Sequence, residues 1–155
     1  MTTMTMHDIN HHLTDKLLLA YSAGALPEAF SLAVATHVSM CDDCRARLGA
    51  YESLGGAGLE RADTVAMAPD SLEVTMARIR NGAPVVNTPA PHKRGVLPAP
   101  LCDYVGGDLA DVPWRSIGMG VKQAILPTSR DATARLLFIP AGAAVPDHGH
   151  RGTEL

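Results

Sequence analysis

The chain has 155 residues, enough for one ordinary domain or two small ones, and 46% of them are hydrophobic, so a core is feasible and wholesale disorder is not expected. A net charge of -3 with no long basic run argues against a general nucleic-acid binder, and 3 cysteines are too few for a disulfide scaffold and fit a reducing compartment. No cationic segment leads into an apolar one at the N-terminus, and the longest apolar run, Leu136 to Val145, is short and interrupted by Pro140 and Gly142, so a soluble, cytoplasmic protein without a membrane span is expected.

Residues 1–13 are polar and carry His7, His11 and His12. Thr14-Asp15 is a helix start, with Asp15 well placed for the positive end of the helix dipole. Leu13, Leu17, Ala20 and Tyr21 fall at helical spacing, and Gly24 is a natural stop. Pro27 fits the first turn of a second helix, down which Phe30, Ala33, Val34, His37, Val38 and Cys41 form one stripe. Cys44 is read as the start of a third helix, continued by Leu48, Tyr51 and Leu54 and ended by Gly55-Gly56.

The stretch from His37 to Cys44 reads H-x3-C-x2-C. His37 and Cys41 are four residues apart and share one helix face, while the short Cys41–Cys44 spacing lets two thiolates hold one tetrahedral ion. One imidazole and two thiolates suit zinc, and a fourth ligand must come from elsewhere. His12, at the mouth of the first helix, is the best placed, with His11 and His7 as competitors. A thioredoxin-like redox pair is the weaker alternative, because no strand precedes the two cysteines. Cys44, near a helix N-terminus, has its thiolate favoured by the dipole. Closing the tetrahedron from the first helix would staple three helices at one point. Structural zinc contributes roughly 10–16 kcal/mol of apparent binding energy in small peptides. A core this small supplies only about 3–5 kcal/mol, so the helices are expected to lose their packing without the metal.

Asp70-Ser71 offers a cap to a fourth helix through Arg80, with Leu72, Met76 and Ile79 on one side. It is either one more helix of the bundle or a partner-binding helix held off it. Residues 81–100 hold 5 of the 11 prolines and read as an extended linker, about 60 Å long at full polyproline extension, between units free to move separately. From Leu101 the pattern changes to turns and strands. Gly106-Gly107-Asp108 and Gly118-Met119-Gly120 are turn signals, and Val121–Leu126 and Ala134–Ile139 read as strands closed by Pro127 and Pro140. Trp114 is expected to anchor a core, and Cys102 to be a half-buried structural thiol. Near the end, His148 and His150 share one side of an extended chain, and Glu154 has the same parity. Two imidazoles and a carboxylate suit a second divalent metal such as zinc, iron, manganese or nickel.

These motifs carry a resemblance. The N-terminal region is similar to zinc-binding anti-sigma domains, whose motif is H-x3-C-x2-C with a further upstream His. The C-terminal region is similar to the start of a cupin, whose first motif ends H-x-H-x3-E. Together they resemble the ChrR-type zinc anti-sigma factors. The likeness is close from His11-His12-Leu13 through Cys44-Arg45-Ala46-Arg47 and again from Val145 to Glu154, and loose across residues 55–100. It implies an all-α, zinc-stapled bundle of three helices plus a fourth over residues 1–80, the Pro-rich linker 81–100, and an incomplete all-β cupin-like region 101–155. It implies zinc on His12, His37, Cys41 and Cys44, and a cupin-type metal on His148, His150 and Glu154. The implied partner is an RpoE-like extracytoplasmic-function sigma factor, kept from core RNA polymerase by occlusion and released in the family under singlet oxygen or related oxidative stress. A cupin barrel needs a second motif with another His ligand, and this sequence stops one residue after Glu154. The expectation is therefore a fragment or a degenerate cupin with an incomplete metal site, and a constitutive inhibitor.

Two other functions compete. A metal-dependent cupin oxygenase or isomerase with a helical appendage would need a complete site with open metal positions. A zinc-dependent DNA-binding module would need a basic recognition helix, and the third helix offers Arg45 and Arg47 alone. No Ser/His/Asp order or phosphate-binding Gly loop is seen, and no enzymatic activity is expected.

Overall fold

The computed structural model describes residues 9–82, 95–144 and 149. Five helices come first: α1 (Asp15–Ser22), α2 (Glu28–Met40), α3 (Asp42–Glu60), α4 (Ser71–Arg80) and α5 (Ala99–Val105). A 3-10 turn at Leu109–Asp111 leads into an antiparallel sheet of three strands, β1 (Arg115–Gly118), β2 (Val121–Ile125) and β3 (Arg135–Phe138), in the order β1-β2-β3.

The first helix obeys its local signals at both ends. Thr14 is the N-cap, and its hydroxyl accepts from the Leu17 amide at 3.3 Å. At the other end Gly24 takes φ +65, which lets the Ala25 amide bond back to the Ala20 carbonyl and the Gly24 amide to that of Tyr21. Pro27 stands just outside α2, at its N-cap, rather than in its first turn. Cys41, extended at φ -107 and ψ 110, ends α2 and opens α3. This single non-helical residue turns the chain between them, so α3 begins at Asp42 and Cys44 sits in its first turn.

The core of the bundle is Leu18 from α1, Val34 from α2, Cys41, and Cys44 and Leu48 from α3. Ile9, Leu13, Tyr21, Leu26, Val38 and Tyr51 close over it. α2 also buries Ala29 and Leu32. Leu32 lies two residues before Val34, about 200° round the helix, so α2 is covered on two opposite sides. The bundle covers one, and α5 packs against the helix as well. The single stripe predicted for α2 is thus incomplete, and Ala33, which belonged to it, is exposed.

α3 does not stop at Gly55-Gly56 but continues to Glu60. Neither glycine adopts the left-handed conformation that would turn the chain, and φ there stays helical. Only the first half of α3 packs: Cys44 and Leu48 are buried and Tyr51 is half-buried, whereas every residue from Glu52 to Glu60 is exposed. Leu54 is therefore not on the packed side. α4 has the predicted span, and Asp70 stands at its N-cap, but its side chain makes no capping bond. None of its residues is buried.

α5 begins at Ala99, inside the stretch read as linker, and it replaces the turn-and-strand pattern expected from Leu101. Gly106 ends it at φ +78. The Asp108 carboxylate then accepts from the Val96 and Leu97 amides, and these bonds hold it below the usual carboxylate range. The region after the prolines does not stand apart from the bundle. Glu28, in the first turn of α2, accepts from the Tyr104 hydroxyl at 2.7 Å and from the Ser129 amide at 2.5 Å.

Both predicted strands are present, and β2 pairs with β3 through Lys122↔Phe138, Gln123↔Leu137, Ala124↔Leu136 and Ile125↔Arg135. The added strand is β1, joined to β2 by a tight turn in which Met119 takes φ +51 between two glycines. Trp114 is half-buried and meets Phe138 edge-on with ring centroids 6.2 Å apart. Cys102 is fully buried rather than half-buried, and its thiol donates to the Leu97 carbonyl at 3.4 Å. No described helix is long and apolar enough to cross a membrane.

Candidate metal centre

Four chain segments bring two histidines and two cysteines together. His12 precedes α1, His37 lies in the last turn of α2, Cys41 is the junction, and Cys44 is in the first turn of α3. One ligand atom from each lies within 4.8 Å of all the others. Nδ1 of His12 stands 3.4 Å from Sγ of Cys41 and 3.7 Å from Sγ of Cys44. Tetrahedral zinc with ordinary Zn–S and Zn–N bonds requires S···N separations of about 3.5 Å, so the four residues can hold such an ion with little movement.

The surroundings fit the same chemistry. Nε2 of His37 is buried and, among the described residues, has no hydrogen-bond partner. A metal ion at the centre of the group would satisfy that nitrogen. Burial, helped by the nearby His12, pushes the pKa of His37 down and so favours the neutral imidazole that binds metals. Burial pushes the Cys44 thiol up, opposed by the Leu13 amide and the charge of Arg47. A bound cation would reverse that shift, because a coordinated thiol is deprotonated. The remote nitrogen of His12 faces the Asp43 carboxylate at 3.9 Å. This is the side from which an outer carboxylate orients a ligating histidine.

Three of these positions were legible from spacing. His12 was one of three candidates, and the geometry brings His12 into the group. Sequence reasoning missed Arg47. Its guanidinium donates to the Leu13 carbonyl at 3.0 Å and pairs with Asp15, tying α3 to the start of α1. Its position three residues after Cys44, on the same helix face, was the available signal. Arg45 pairs with Asp42, so both basic residues of the first turns of α3 are engaged within the bundle. The second predicted cluster, His148, His150 and Glu154, lies outside the described residues, as does His7.

The fold and the site together define a small helical module built round a two-histidine, two-cysteine group and joined to an antiparallel sheet. No family model matches the sequence. The chain is 56% identical over 149 residues to the anti-sigma-E factor ChrR of Cereibacter sphaeroides, which covers 95% of this chain and 68% of that protein. It is also similar to a chain in the crystal structure of Rhodobacter sphaeroides SigE in complex with the anti-sigma ChrR, with a TM-score of 0.79 and 53% identity, covering 93% of this chain and 77% of that one. The chain belongs to the ChrR family of anti-sigma factors. Membership implies a regulatory role.

Proposed function

We propose that this protein binds an RpoE-like extracytoplasmic-function sigma factor and blocks its access to core RNA polymerase. The observation that carries the reading is a set of large apolar side chains on α3 and α4 that stand exposed among the described residues. Leu54 and Leu59 on α3 and Leu72 and Ile79 on α4 are 70, 78, 72 and 66% exposed, respectively. They follow one another along the chain directly after the metal-centred core. Single exposed leucines are ordinary, but a run of this length on two helices fits a docking surface. The kinship adds weight, since the solved relative was crystallised in complex with SigE.

In this reading His12, His37, Cys41 and Cys44 bind a structural zinc ion. Four protein ligands leave no open position for water, so the ion holds the docking surface in shape and catalyses nothing. We assign the protein no enzymatic activity, no direct contact with nucleic acid and a cytoplasmic location. The proposed division is an anti-sigma domain over 1–80, a linker over 81–100, and the start of a cupin-like domain over 101–155. His148, His150 and Glu154 are proposed ligands of a second divalent metal. The proposed trigger for release, by the same kinship, is singlet oxygen or a related oxidant.

The test is co-purification with an RpoE-like sigma factor, together with a metal count. A one-to-one complex containing zinc, and loss of sigma-dependent transcription in a reconstituted reaction, are the expected results. A sigma factor that stays monomeric and fully active in the presence of the zinc-loaded protein would overturn the proposal.

A further inference from the structure

Three of the four metal-binding positions are held by helices, and His12 is not. His37 and Cys44 lie within α2 and α3, and Cys41 joins them. His12 comes from the extended segment ahead of α1, and its side chain is about one-third exposed, at 36%. Packing alone does not fix such a side chain, and an unrestrained ligand costs affinity when it must be ordered on binding.

The neighbouring residue is what is held. The Leu13 amide donates to Sγ of Cys44 at 3.4 Å, and the Leu13 carbonyl accepts from Arg47 at 3.0 Å. A second guanidinium nitrogen of Arg47 pairs with Asp15, two residues further on. Both backbone polar groups of Leu13 are therefore tied to α3, one by a ligand sulfur and one by a side chain one helical turn beyond it. The planar fork of arginine reaches two acceptors at once, which a lysine ammonium on its flexible stem does not reproduce.

We infer that Arg47 is a positioning residue for the metal centre: by clamping Leu13 and Asp15 to α3 it fixes His12 as the fourth ligand. The inference rests on the zinc reading above. Among the described residues Arg47 makes no hydrogen bond to a ligand atom, although its charge lies near the Cys44 thiol. It acts through the backbone, in the manner of outer partners whose loss weakens metal binding by about 10–100-fold.

The experiment uses the full chain with Arg47→Met, Arg47→Lys, Asp15→Asn, His12→Ala and the Arg47→Met/His12→Ala double variant. Zinc affinity is measured by competition with a chromogenic chelator. Coordination is read from the visible spectrum of the Co2+-substituted protein. Arg47→Met is expected to weaken zinc about 10–100-fold and to alter the cobalt bands as His12 gives way to water. Arg47→Lys should fall between that variant and the unchanged protein. Asp15→Asn, which leaves the Leu13 bond intact, should lose less than about 10-fold. In the double variant Arg47→Met should add much less to the loss caused by His12→Ala than it costs on its own, because its main effect runs through that ligand.

A purely structural arginine would lower the unfolding midpoint of the zinc-loaded protein and leave the cobalt bands, and so the ligand set, unchanged. That result overturns the clamp, as does a lysine variant that binds zinc as tightly as the unchanged protein. The lysine variant answers the question if the methionine variant does not fold. Failure of the unchanged protein to bind zinc at all overturns the zinc reading and the clamp with it, whereas zinc binding that ignores Arg47 overturns the clamp alone.

Discussion

Residues 9–51 and residues 52–82 are both mostly helical and both carry apolar side chains at helical spacing, yet they use them in opposite ways. The first region turns Leu18, Val34, Cys41, Cys44 and Leu48 inward round the metal-binding group. The second leaves Leu54, Leu59, Leu72 and Ile79 in solvent. The boundary does not coincide with the end of a helix. It falls inside α3, between half-buried Tyr51 and exposed Glu52. Helical periodicity therefore says where an apolar face is, and tertiary packing says whether the chain itself covers it. One continuous helix can join a packed core to an exposed arm.

The largest expected effect would erase the first region. Removing zinc with a chelator, or replacing Cys44 with Ala, deletes a binding term of roughly 10–16 kcal/mol. That is as large as the whole stability of an ordinary domain, about 5–15 kcal/mol. Cooperative thermal unfolding of the bundle should disappear, as followed by circular dichroism. A bundle that melts with an unchanged midpoint after chelation would make the two regions alike.

Next comes the second region. Leu72→Asp and Ile79→Asp should each weaken sigma-factor binding by about 2 kcal/mol or more, the scale of interface hot spots. The unfolding midpoint should hardly move, because neither residue is packed in the free protein. Calorimetric titration and a thermal melt on the same samples give both readings. A fall in stability with binding intact would mean that the chain covers these side chains itself.

A smaller effect sharpens the boundary within α3. Gly55 and Gly56 are helical, and a methyl group added at either meets no atom within 4 Å. Gly55→Ala and Gly56→Ala should each stabilise the outer half of the helix by about 0.5–1 kcal/mol. Slower amide exchange from Glu52 to Glu60 would be the evidence, with the amides near Cys44 unaffected.

The smallest effect concerns the contact between α2 and the region beyond the prolines. The Tyr104 hydroxyl and the Ser129 amide hold the Glu28 carboxyl below its ordinary value of 4.5. As the pH falls, the unfolded chain takes up this proton first. The contribution of Glu28 is therefore complete above its unfolded pKa and is lost as the pH drops through its lowered folded value. Amide protection of Ser129 should follow that loss, and Glu28→Gln should remove its dependence on the Glu28 titration. The same acid profile in the glutamine variant would show that Glu28 does not join the two parts.

Several features were readable because they are local. Thr14 and Gly24 bracket α1 through bonds that span only a few residues, and α4 carries its apolar side and its charges within ten residues. α5 was hidden because it has seven residues, opens beside Pro98 and Pro100, and is held by α2 from far away in sequence. Proline is tolerated in a first helical turn, so its presence there did not forbid the helix. β1 was hidden for a related reason: all four of its residues are exposed, and pairing with β2 defines it. Gly55-Gly56 misled in the other direction, because glycine permits a helix end without imposing one.

By itself the sequence determined the spacing of the candidate ligands, since His37, Cys41 and Cys44 lie close together across one helix junction. It also determined the family resemblance and the places where most helices begin. Only the tertiary structure brings His12, the histidine that its place before the first helix favoured, to the other three residues. It likewise decided that Arg47 reaches back to Leu13, that α2 is buried on two sides, and that α4 is left bare. Each of those depends on residues far apart along the chain meeting in space, and helical spacing carries no information about such meetings.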